Sequence, residues 1–296
     1  MNRNLLTGLL AALAAALIGS GWQIASRHGV TTTLGPLELA VLRYGIPALV
    51  LLPPLLRTGL LPAGLPRRKL AWLVLGGGLP FGLLVLAGAQ WAPAAHMGVF
   101  MAGSVPLFTA LGARLAFGEP IGKGRLAGLL LIVAGMAVFA AATFAGAAGG
   151  AGSWRGDLLF VLAAMLWAIY TLVFRLGGLS PWQGAAVINA WSLLLLLPLL
   201  LALGAPRLLS APWTDVAFQA LGQGVAAGLL GLVTYMIAIA RLGAARASLS
   251  AALVPISTAL GAAWLLGEPL GDGTLAASAL VAGGVALASG AFGRRD

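Results

Sequence analysis

Cysteine is absent from all 296 residues, so neither a disulfide nor a thiolate metal centre is open to this chain. Ionisable chemistry is nearly as scarce. Charged residues make up 8%, where a soluble domain carries about a quarter, and there are only 2 histidines. With no His-Glu-x-x-His and no nucleophile elbow, no metal, no cofactor and no enzymatic activity is expected. The net charge is +10, yet no basic cluster exceeds Arg67-Arg68-Lys69, so a nucleic-acid partner is not expected either. Gly118-x-x-x-Gly122 and Gly124-x-x-x-Gly128 lack the lysine-serine pair of a phosphate loop and read as helix-packing positions. Carboxylates avoid the middle of every apolar run: Glu38 lies near a helix start, Glu119 and Glu268 in turns. The acid that carboxylate-based proton exchange needs is therefore missing.

What the chain does contain is apolar: hydrophobic residues reach 60% and the mean hydropathy is +1.02, which specifies an integral membrane protein. The 43 glycines and 16 prolines fall within apolar runs, where small residues let helices approach closely. Residues 5–26 follow Arg3 and have the outline of a secretory signal. A counterpart at 157–175 argues instead for a retained first helix. Further spans are expected at 36–56, 70–90, 95–116, 122–143, 156–175, 181–204, 217–240, 245–266 and 272–292, each near the ~20 residues that cross the hydrocarbon.

One stretch occurs twice. VPLFTALGARLAFGEPIGKGRLA (Val105 to Ala127) returns as VPISTALGAAWLLGEPLGDGTLA (Val254 to Ala276), 14 of 23 positions identical at an offset of 149. Each copy reads as two helices joined at a Gly-Glu-Pro turn. The second and seventh spans match at an offset of 145, through Pro36/Pro181 and Pro53/Pro198. The expected fold is therefore all-α, ten transmembrane helices as two five-helix repeats, 1–144 and 156–296, joined by a Gly/Ala-rich linker at 145–155. An odd helix number per copy inverts the second copy in the membrane. Charge agrees. With the N-terminus cytoplasmic, the inner side holds Arg3, Arg57, Arg67, Arg68, Lys69, Arg114, Lys123, Arg125, Arg175, Arg241, Arg246, Arg294 and Arg295, and the outer side Arg27, Arg155 and Arg207. Both termini are expected in the cytoplasm of a bacterial-type inner membrane.

The ten spans, the duplicated helix leading into Gly-Glu-Pro, and Leu42-Arg43-Tyr44 in the second span resemble the drug/metabolite transporter superfamily, EamA type. Among its members the chain is similar to bacterial metabolite and amino-acid exporters, with the aromatic amino-acid exporter group as nearest likeness. The resemblance implies a basket of helices round a central cavity, the fifth and tenth set back from it.

Several residues stand out for a binding role. Arg43 lies seven residues into the second span, roughly 10 Å along it, and its repeat partner is Ile188, so the shared architecture does not require it. It either holds an anionic group such as a substrate carboxylate or snorkels to the interface. His96 opposes Ala245 in the repeat and either couples transport to protons or is an ordinary hydrogen-bonded histidine. Trp22, Tyr44, Phe81, Phe100, Trp167, Tyr170 and Tyr235, mixed with Gln23, Asn189, Gln223 and Thr234, suit an apolar cavity with a few polar handles, or else interfacial belts. Pro80, Pro106 and Pro255, with Pro47, free backbone groups and mark helix breaks suited to gating. The expected partners are a small-molecule substrate and membrane lipid, and a monomer can serve. The expectation is a secondary transporter of small amphipathic metabolites, foremost neutral and aromatic amino acids; an intramembrane enzyme, a lipid-modifying protein and a passive channel are the alternatives.

Overall fold

A computed structural model describes residues 3–146, 148–176, 178–242 and 249–290. Among these residues every regular element is helical, as it must be where no water pairs the backbone. The helices are α1 (Arg3–Thr31), α2 (Pro36–Val50), α3 (Leu52–Thr58), α4 (Arg67–Gly77), α5 (Leu79–Trp91), α6 (Ala94–His96), α7 (Ala102–Phe117), α8 (Lys123–Phe144) and α9 (Ser153–Arg175). They continue with α10 (Pro181–Leu203), α11 (Pro206–Ser210), α12 (Trp213–Gln219), α13 (Gly231–Leu242), α14 (Leu253–Leu266) and α15 (Asp272–Ala288). Seven helical segments are long and apolar enough to cross a membrane, eight with the bent pair α2–α3, and α14 and α15 are shorter apolar helices. The protein is thus an all-helical, multi-pass membrane protein.

The expected breaks fall where backbone chemistry puts them, with two corrections. The span expected at 36–56 is not one helix: it bends by 67° between α2 and α3, because consecutive Pro53 and Pro54 both lack the N–H a helix needs. Pro198, the repeat partner of Pro53, stands alone, and α10 runs through it unbroken. The span expected at 217–240 begins at Trp213 and contains an eleven-residue π-helical stretch, Ala220–Leu230. Pro106 and Pro255 each follow a departure from α geometry, a π turn at Met97–Met101 before α7 and a 3-10 turn at Leu249–Ala252 before α14. Residues 245–248 and 291–292 of the expected spans, and Arg246, Arg294 and Arg295, lie outside the described residues.

Close helix contacts are made through glycine. A Cβ at Gly128 of α8 would sit 2.6 Å from the carbonyl oxygen of Gly284 on α15, and one at Gly284 2.7 Å from that of Gly128, so the two backbones touch. The same reciprocal contact joins Gly88 of α5 to Gly156 of α9. The main core gathers Trp22, Leu39, Tyr44, Phe81, Met97, Phe100, Phe139 and Phe160. It therefore draws on α1, α2, α5, α8 and α9 at once, and positions the groups described next.

Candidate functional site

Trp22 of α1 is buried and its Nε1–H donates to Gln223 Oε1 at 2.8 Å. Gln223, in the π-helical stretch, donates from Nε2 to Ser26 Oγ at 3.0 Å, and Gln219 Nε2 donates to the Ala25 carbonyl at 2.8 Å. This fixes the indole ring. The Arg43 guanidinium lies over it, 4.4 Å from the ring centroid, and 5.8 Å from the Tyr44 ring. Tyr44 is itself held by a 2.7 Å hydrogen bond from its hydroxyl to the Gly78 carbonyl. Gly78 marks the α4–α5 break ahead of Pro80, where the Leu79 N–H donates to Ser192 Oγ at 3.0 Å. The broken backbone is thus braced by side chains from α2 and α10.

From Trp22 an aromatic row continues to Phe81 (6.2 Å between centroids), Trp167 (4.9 Å), Tyr170 (5.0 Å) and Phe174 (5.7 Å). The arginine stands at the head of this row with its Nε and Nη1 shielded from solvent and without a hydrogen-bond partner. A ring contact supplies about 0.5–2 kcal/mol, whereas buried charged donors left unpaired cost about 1–3 kcal/mol or more. Among the described residues no carboxylate meets the guanidinium.

The structure thus brings together Trp22, Arg43, Tyr44, Phe81, Trp167 and Tyr170. The other candidates lie apart from the row. Gln23 accepts from Thr258 Oγ1 at 2.8 Å and ties α1 to α14. Asn189 turns back to the Ala185 carbonyl of its own helix, 2.8 Å away, and Tyr235 is exposed on α13. His96 and Phe100 belong to a second cluster with Phe139, whose ring meets His96 edge-on at 4.6 Å. In that cluster buried His96 Nδ1 lies 2.7 Å from Asp157 Oδ1. Sequence reasoning did not single out Asp157. The available signal was that its repeat partner is Gly8, so it is an unshared polar position, as His96 is.

Sequence reasoning also passed over two ion pairs that tie the copies together. In both Gly-Glu-Pro turns the glycine takes a left-handed conformation, φ +67° at Gly118 and +66° at Gly267. The next N–H closes back on the helix, Glu119 to Ala113 and Glu268 to Ala262. Each glutamate then meets an arginine of the other copy. Glu268 Oε1 pairs with Arg27 Nε at 3.1 Å, and its Oε2 accepts the Ala94 N–H at 2.8 Å. Arg27 also donates to the Ala89 carbonyl at 2.6 Å. Glu119 pairs with Arg175 alone. Ala94 and Glu119 bracket the 24-residue segment Ala94–Phe117, roughly 36 Å at ~1.5 Å per residue, so the pairs sit at opposite ends of the molecule. Arg175 holds the Glu119 carboxyl below its ordinary pKa, first by its hydrogen bond and then, against some desolvation, by its charge.

A family model, the EamA-like transporter family, matches the chain over residues 6–141 and again over 154–290. No curated protein matches it. Among solved structures 18 chains match. One, a crystal structure, is 23% identical, covers 95% of this chain and 96% of its own, and superposes with a TM-score of 0.63. At that identity it shows a shared fold.

Proposed function

Because the chain belongs to the EamA-like transporter family, and so is a membrane transporter of small solutes, we propose that it carries amphipathic carboxylates, the neutral and aromatic amino acids among them, by alternating access. The proposed body is ten spans in two inverted five-helix halves, with both termini on the cytoplasmic face of a bacterial inner membrane.

The observation that carries this reading is the crossed pair of latches. Arg27 of the first copy holds Glu268 of the second, and Arg175 of the second holds Glu119 of the first. Such a pair at each end is what two halves need if they rock about a central site, opening one end as the other closes. The topology read from charge has support of the same kind. Lys69 donates to the Leu176 carbonyl at 3.1 Å, Arg241 to Asn4 at 2.6 Å, and Arg175 meets Glu119, all groups assigned to the inner side. Arg27 and Glu268 are both assigned to the outer side.

The Arg43 site between the latches offers one cation and a row of rings, which suits a carboxylate with an apolar body. The test is reconstitution. Liposomes carrying the protein should show saturable uptake of labelled phenylalanine and accelerated exchange when preloaded. Unsaturable conductance would make the protein a channel.

A further inference from the structure

We propose that the Arg43 site selects singly charged organic carboxylates with an aryl or alkyl body over the corresponding zwitterionic amino acids, so that transport moves net charge and the membrane potential drives it. The inference rests on the reading above, that Arg43 meets the substrate, and narrows the class.

The argument is a charge balance. Of the acids in the described residues, Glu38 accepts the Gly35 N–H at 3.0 Å, Glu119 and Glu268 are held by Arg175 and Arg27, and Asp157 by His96. Asp215 and Asp272 lie in the first turns of α12 and α15. None pairs with Arg43, whose buried Nε and Nη1 have no hydrogen-bond partner. The site therefore carries one uncompensated positive charge and can take one negative charge.

An ammonium group has no comparable partner, since no carboxylate of the described residues faces Arg43 and the nearby oxygens are neutral and already share one hydrogen bond each. Gln223 Oε1 already accepts from Trp22, and Ser26 Oγ from Gln223. The Tyr44 hydroxyl gives its proton to the Gly78 carbonyl, and its ring lies 5.8 Å from the Arg43 guanidinium, whose charge repels an ammonium there. Pro47 releases the Arg43 carbonyl from helix pairing, but that oxygen faces Gly228, where an added Cβ would lie 3.4 Å away. In an α-amino acid the ammonium sits two bonds from the carboxylate carbon, so a carboxylate on Arg43 brings like charges within about 5 Å in a medium of low dielectric. Removing the amino group relieves that repulsion and the desolvation of the ammonium, and the apolar body still lies along Trp22, Phe81, Trp167 and Tyr170.

There is an energetic consequence. A zwitterion crosses without moving charge, whereas a monoanion leaves a cell that is negative inside with a driving force of roughly tenfold in concentration for each ~60 mV. Export then needs no coupled ion.

The test uses three probes that share a phenylethyl body and differ only in the charged groups it carries: 3-phenylpropionate, phenylalanine and phenethylamine. Labelled uptake into proteoliposomes is measured at neutral pH with the potential clamped by potassium and valinomycin, and protein-free liposomes are subtracted. The expected half-saturation for 3-phenylpropionate is tenfold or more below that for phenylalanine, its uptake accelerates when the interior is made positive, and phenethylamine does not compete. Phenylalanine carried as well or better overturns the inference and leaves the transporter reading standing. Uptake of 3-phenylpropionate that ignores the potential overturns the electrical claim and with it the inference. If neither compound is carried saturably, both readings fall. Arg43→Gln, accepted only if it stays monodisperse, should erase the preference, and a preference that survives it also overturns the proposal. Because the three-probe comparison needs only the unaltered protein, it stands if that variant fails to fold.

Discussion

The two Gly-Glu-Pro turns share sequence, backbone conformation and a partner arginine from the opposite copy, yet they are not equally closed. At Arg27–Glu268 the side chains are 20% and 12% exposed, and at Arg175–Glu119 they are 59% and 32% exposed. The first glutamate uses both oxygens, one on arginine and one on the Ala94 N–H, and its arginine is also bound to the Ala89 carbonyl. The second has one arginine and no further hydrogen bond. Half-buried, fully used ion pairs are costly to break by removing one partner, whereas exposed ones contribute little. The difference therefore sets a largely buried, multiply bonded pair at the Arg27 end against an exposed, singly bonded pair at the Arg175 end, and in the proposed alternating mechanism the first is the more firmly closed. The duplicated motif supplies the hardware twice, and burial decides how firmly each copy is held.

The comparison breaks most severely if the buried latch is cut. Glu268→Gln leaves Arg27 without its countercharge and should cost the closed state of this end on the order of 2 kcal/mol, about thirtyfold in the balance between states. Reaction of a reporter cysteine at Ala262, buried where α14 packs on Ala94, with an impermeant maleimide should rise accordingly, and an unchanged rate would show that the pair does not hold this end closed. Ala94→Pro sharpens the point. It removes the N–H that binds Glu268 at the first position of a helix, where proline is tolerated. The expected cost is about 1 kcal/mol, seen as a smaller rise in the same labelling rate.

At the exposed pair the effects shrink. Glu119→Gln should leave the labelling of an Ile121→Cys reporter almost as it was, since the pair it removes is exposed. Acid gives the smallest effect near neutrality. Arg175 holds the Glu119 carboxyl below its ordinary value, so the pair is fully present above the usual glutamate range, about 4.3. It is lost only as pH falls through the depressed value. Carboxyl-carbon NMR of Glu119 should therefore show no titration between pH 6 and 8, and Arg175→Gln should move its midpoint upward.

Local chemistry made much of this legible in the chain itself. Apolar runs announced the helices, the offset of 149 announced the duplicated turns, and Arg43 stood out because its repeat partner is Ile188. What stayed hidden depends on neighbours distant in sequence. Arg27 and Glu268 are 241 residues apart, and nothing near either names the other. Pro53 and Pro198 matched as repeat partners, yet only the former breaks its helix, because Pro54 follows it. The π-helical stretch 220–230 contains no proline; it places Gln223 beneath Trp22, a tertiary pairing without a local signature. Asp157 drew no reading from the chain alone, and only the packing of α9 sets it against His96.

Reciprocity between the ends is the central claim, and the absence of cysteine makes it directly measurable. Spin labels at Thr31→Cys and Leu265→Cys report the Arg27 end, and labels at Ile121→Cys and Leu176→Cys the Arg175 end. Distances within each pair, measured by pulsed electron resonance before and after Glu268→Gln, should lengthen by several ångströms at the first and shorten at the second. Lengthening at the first with no change at the second, or lengthening at both, would contradict an alternating mechanism.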